Sequence, residues 1–150
     1  MLSELEKMKA VTATSVDPLQ KRVGDDLTDL CKMAGYSLMV NINLYSIHHN
    51  AKSVANLLAV PHDTANSVVQ FPISNMKEED ENFYVAVVTY SGGNPTSAYL
   101  FPGHEFKRPG MFSIFGRNNK TGMASVKMGK VDKLKQYSFA NVAKQIVADA

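Results

Sequence analysis

Three of the four histidines, His48, His49 and His62, flank one stretch of the chain, and Asp63 stands beside the last of them. Imidazole nitrogens and carboxylate oxygens are zinc ligands, but an ion needs three or four of them converging at about 2.0–2.3 Å. Adjacent residues such as His48 and His49 point apart after a strand, and no His-Glu-x-x-His spacing occurs. The pattern yields three candidate ligands without a defined centre, so neither a metal nor another cofactor is expected.

The fourth histidine, His104, precedes Glu105 in a long loop that also carries Lys107 and Arg108. A His–carboxylate pair can orient and activate a hydroxyl nucleophile, for which Ser91 or Ser97 of the neighbouring turn would serve. On that chemistry His104 and Glu105 are the candidate catalytic residues of a small hydrolase or transferase. There is no Gly-x-Ser-x-Gly elbow. Gly116-Arg-Asn-Asn-Lys120-Thr121-Gly122 has the Lys-Thr of a phosphate loop, but Ile114 and Asn119 occupy its glycine positions and a strand follows instead of a helix.

The strongest lead is charge. Nine of the sixteen Lys and Arg fall after residue 100, against three of the fourteen carboxylates, so the last third carries +6 and the remainder −4. Clustered charge of one sign attracts anions and acidic surfaces. Lys107, Arg108, Arg117 and Lys120, in two consecutive loops, are the candidate binding residues. A nucleic-acid backbone would use them as phosphate contacts, with Tyr99, Phe112 or Phe115 stacking on bases if those rings are exposed. An acidic protein, or the acidic half of another copy, would use them equally well.

The elements that must position these groups come from a chain of 150 residues, 45% hydrophobic and 20% charged, which suits one packed domain. Cys31 is the only cysteine, so an internal disulfide is excluded and a buried thiol is expected. No apolar run approaches the roughly 20 residues of a membrane span, and the start lacks the apolar core of a signal peptide. The expectation is a soluble, cytoplasmic protein without a membrane partner. Asn119-Lys120-Thr121 fits the glycosylation pattern but reads as a turn.

Residues 1–16 read as a short helix and linker, with residues 17–150 forming one domain. Asp17-Pro18 signals a helix start; Leu19, Val23, Leu27, Leu30, Cys31 and Ala34 share one face, Asp25, Asp26 and Asp29 the solvated one, and Gly35 ends the helix. Alternation over residues 36–45 predicts an antiparallel strand. Asn50 reads as the cap of a helix through Leu58 that Pro61 stops; residues 61–75 fit either a further turn of helix from Asp63 or a short edge strand over Ser67–Phe71 ending at Pro72. Phe83–Tyr90 is apolar on both faces and therefore needs two covers, helices on one side and a further layer or another subunit on the other. Residues 97–101, 111–116 and 122–128 predict a β-meander, and Ser138 caps a final helix through 149.

The expected fold is α+β, a single antiparallel sheet of five or six strands with helices 18–34 and 138–149 on one face. The expected function is a noncatalytic protein-binding or assembly module acting through a sheet surface and the basic loops, with nucleic-acid binding and then catalysis at His104/Glu105 as alternatives.

Overall fold

The computed structural model describes the backbone of residues 4–41 and 44–149, and the side chains of 19–40 and 44–149. The fold is α+β. A long helix α1 (Glu4–Met33) leads into strands β1 (Ser37–Asn41), β2 (Leu44–His49), β3 (Lys52–Asp63), β4 (Val68–Pro72), β5 (Phe83–Ser91), β6 (Asn94–Pro102), β7 (Phe115–Asn118) and β8 (Met123–Lys127). A single-turn helix α2 (Val131–Leu134) and the closing helix α3 (Phe139–Asp149) complete it.

The strands form two sheets rather than one. The larger has the order β1-β2-β3-β5-β6 and is mixed, because β3 and β5 run parallel; the smaller is antiparallel, in the order β4-β8-β7. The expected single antiparallel sheet is corrected on both counts. The expected meander is also divided, since β6 closes the large sheet while β7 and β8 belong to the small one.

The division follows from β5. Ala86, Val88 and Tyr90 point into a first core, and Phe83, Val85 and Val87 into a second, so the strand is buried on both faces. The first core is closed by Val23, Leu27 and Cys31 of α1 and by Phe139, Val142, Ala143 and Ile146 of α3, which places both helices on one face. The second is closed by the small sheet, through Val69, Phe71, Phe115, Ala124 and Val126. The second cover is thus built from the chain itself.

The segment expected as a helix from Asn50 is instead a hairpin turn and strand. Asn50 (φ 53°) and Ala51 (φ 63°) both adopt the left-handed conformation that tightens a two-residue hairpin between β2 and β3. Pro61 is tolerated within β3 because of its direction. Asn56 and Thr64 donate their N–H groups to Asn82 and Tyr90 carbonyls on the β5 side, so even-numbered residues face β5 and the Pro61 nitrogen faces away.

Residues 11–16, expected as a linker, lie inside α1, which also contains Pro18. Its end is as expected: Gly35 takes φ 85° and the Tyr36 N–H returns to the Cys31 carbonyl at 2.7 Å. The stretch 36–45, expected as one strand, contributes residues 37–41 to β1 and residues 44–45 to the start of β2. No helix among the described residues is long and apolar enough to cross a membrane.

Candidate protein-contact site

β6 ends at Pro102 and the chain turns through Gly103–Phe106. A side chain at Gly103 would place its Cβ 2.9 Å from the Phe83 carbonyl oxygen, so the close approach to β5 requires glycine. The turn buries Phe106 completely, edge-on to Phe71 at 5.4 Å and to Phe115 at 4.9 Å. Phe106 and the buried pair Ile114–Phe115 therefore clamp the two ends of the intervening loop into the second core.

Between those anchors the chain leaves the protein. Met111 is 88% and Phe112 85% exposed, with Met33 of α1 the most exposed large apolar residues among the described ones. Lys107 and Arg108 are exposed on the same loop. The Lys133 ammonium donates to the Phe112 carbonyl at 3.3 Å, and the Lys127 N–H donates to the Ile114 carbonyl at 2.8 Å. The loop is thereby held against the segment carrying Lys127, Lys130 and Lys133, with Val131 exposed on α2 and Val68 opposite Lys127 in the small sheet. From Phe106 through Val131 the chain has six Lys and Arg and no carboxylate.

The four candidate binding residues have different surroundings. Lys107 and Arg108 belong to the exposed loop. Arg117 is engaged internally: its guanidinium pairs with Glu78, donates to Asn119 Oδ1 at 2.9 Å, and reaches the Phe106 carbonyl at 3.4 Å. Lys120 lies in the β7–β8 turn, where its N–H and that of Thr121 are held by Asn118 Oδ1. That turn follows the Asn118–Met123 end of the ladder, whereas the exposed loop enters at the Phe115–Val126 end.

His104 and Glu105 lie at the surface, 3.4 Å apart, the His104 side chain 71% exposed. Ser91 and Ser97 are at other positions on the β5–β6 hairpin, and Ser97 pairs with Thr89 in the ladder. The three other histidines do not converge. His48 contacts Ser46 Oγ at 3.0 Å and His49 meets the Tyr36 ring edge-on, both near the β2–β3 turn. His62 is roughly 30 Å away along β3 at 3.3 Å per residue. It is buried, with Nε2 2.6 Å from the Asn66 carbonyl and Nδ1 3.2 Å from Thr89 Oγ1. A carbonyl only accepts, so Nε2 donates to Asn66, and through its contacts with Asn66 and Thr89 the ring pins β3 to β5. No group of three or more potential metal-ligating side chains occurs among the described residues.

No family model and no curated protein matches this chain.

The rings named as possible base-stacking groups also separate. Tyr99 stacks on Phe101 at 5.9 Å and Phe115 is buried against Phe101, Phe106 and Tyr137, which leaves Phe112 exposed. The sequence signal for the site is the pairing of two bulky apolar residues with Pro109-Gly110 immediately before them. Proline and glycine mark a turn rather than a strand, so residues 111 and 112 belong to the turn.

Proposed function

We propose that this chain is a noncatalytic protein-binding module whose contact element is the 107–113 loop, and that its partner presents an acidic surface around an apolar pocket. The exposure of adjacent Met111 and Phe112 on a loop clamped at both ends carries this reading. Solvent-exposed methionine and aromatic side chains with a polar rim are the composition of interface centres, and a pre-anchored loop loses little freedom on docking. Lys107, Arg108 and Lys133 supply the rim and would accelerate encounter with an acidic partner. The small sheet supplies the sheet surface, since the central strands β3 and β5 of the large one are covered on both faces.

A single-stranded nucleic acid is the second reading, favoured by the same cations. Single-strand platforms offer several stacking rings along a groove, and one ring on a projecting tip supports that reading less.

Selection of random peptides displayed on phage tests the choice. Wild-type protein should enrich peptides in which Asp and Glu flank Phe, Leu or Trp, and the Met111→Ser/Phe112→Ser double variant should lose that enrichment. Absence of enrichment, with salt-sensitive binding of a dT oligonucleotide instead, would overturn the proposal in favour of nucleic acid.

A further inference from the structure

The layer opposite the loop contains a hollow of about 280 Å³ where α1 crosses the ends of β5 and β6. Leu30, Met33, Val88 and Ala98 make its apolar wall, and Asp26 and Asp29 stand above it on the helix. Residues 26, 29, 30 and 33 share one helical face, so the carboxylates and the apolar side chains open in the same direction. Asp26 is engaged by the Tyr90 hydroxyl and by Arg22, while Asp29 and its neighbour Asp25 are exposed. The volume lies just below the ~300–1,000 Å³ of pockets for drug-sized ligands, and suits an inserted side chain.

Extending the reading of the 107–113 loop as a contact element, we infer that the occupant of this hollow is the Met111–Phe112 tip of a second copy. Each half supplies what the other lacks. The tip is an apolar projection flanked by Lys107, Arg108 and Lys133; the hollow is an apolar recess under Asp26 and Asp29. The tip is rooted in the core under the small sheet and the hollow in the core under the helices, on opposite faces of the large sheet. The contact therefore forms between molecules. It joins two different surfaces, so a pair formed by one contact keeps one free tip and one free hollow, and association continues head to tail unless the rotation closes a ring.

Sedimentation velocity over a concentration series, with complementary variants, tests this arrangement. Met111→Ser/Phe112→Ser removes the tip. Ala98→Trp fills the hollow, and Asp29→Lys reverses its exposed charge without touching a core residue. Wild type should grow beyond a dimer with concentration and shrink with added salt, and each variant alone should associate at least about tenfold more weakly, a change of about 1.4 kcal/mol. An equimolar mixture of the tip variant with either hollow variant should form a one-to-one dimer and stop there, because only one intact pair of surfaces exists. A wild-type monomer throughout, association that survives tip removal, or a mixture that remains monomeric would each overturn the inference. A monomeric wild type that still enriches acidic peptides through Phe112 would overturn self-assembly alone; loss of that enrichment as well would overturn the contact loop itself.

Discussion

The Tyr90 hydroxyl donates to Asp26 Oδ2 at 2.6 Å, joining the last turns of β5 to α1 across the first core. Arg22 completes the arrangement: its guanidinium lies 5.4 Å from the centre of the Tyr90 ring, 4.0 Å from the same carboxylate, and bonds the Gly93 carbonyl in the β5–β6 turn. A carboxylate on what reads as the solvated face of the helix is thus a fixed part of the packing that carries the hollow.

Tyr90→Phe should keep the ring and its burial while removing the bond to Asp26. Hydrogen bonds to a charged group contribute about 1.5–3 kcal/mol, so the midpoint of thermal unfolding should fall by several degrees. An unchanged midpoint in scanning calorimetry would mean that Arg22 alone holds the carboxylate.

Stability should decline in alkali. Burial pushes the Cys31 thiol from 9.0 to about 11, and burial together with the Asp26 bond raises Tyr90 above its ordinary 10.0. Tyr84 and Tyr137 are also raised, mainly by burial. All four groups are neutral when protonated, so the folded state holds protons that the unfolded chain releases first. Their contribution is complete below pH 9 and is lost from pH 9 to 11 for Cys31, and upward from pH 10 for the tyrosines. Urea midpoints should therefore fall above pH 9, and Cys31→Ala should flatten the first part of that decline; a flat profile from pH 8 to 11 would contradict the assignment.

Phe106→Ala should loosen the small sheet and the contact loop together. The ring is completely buried and touches Phe71 and Phe115, and comparable truncations cost about 3–5 kcal/mol. Hydrogen exchange should rise in β4, β7 and β8 more than in β3 and β5. Uniform exchange across both sheets would show that they unfold as one unit.

Arg117 and the Lys107/Arg108 pair should behave oppositely. Arg117→Ala leaves Glu78 without its cation and removes a contact to the Phe106 carbonyl, a loss of about 1–3 kcal/mol. Lys107→Ala/Arg108→Ala removes exposed charge, so its melting midpoint should stay within about a degree of wild type while peptide affinity falls and loses salt dependence. A destabilised double variant would place those side chains in the fold rather than at an interface.

The sequence displays those parts of this fold where local chemistry and burial agree. The helical stripe through Val23, Leu27 and Cys31, the stop at Gly35, the doubly buried Phe83–Tyr90 strand and the closing helix are all visible in it. Asn50 misleads because asparagine both caps helices and tolerates positive φ, and because Val54, Ala55, Leu57 and Leu58 suit a helix or a strand covered on both faces. Pro61 reads as a stop only until the direction of its nitrogen is known. The division into two sheets depends on which strand pairs with β8, and no local pattern records that pairing. At the candidate site the cations of residues 107 and 108 were legible from charge alone. The internal use of Arg117 was not, because Glu78 lies far away in sequence, and the exposure of Phe112 depends on where β7 begins.

The chain contains no tryptophan, so Phe112→Trp introduces a single indole at the tip. Its emission should be that of a solvent-exposed side chain in the dilute protein and should shift to the blue, with loss of acrylamide quenching, when a selected acidic peptide is added. Binding of that peptide with unchanged emission and quenching would contradict the account, because the partner would then be engaging the protein somewhere other than the Met111–Phe112 tip.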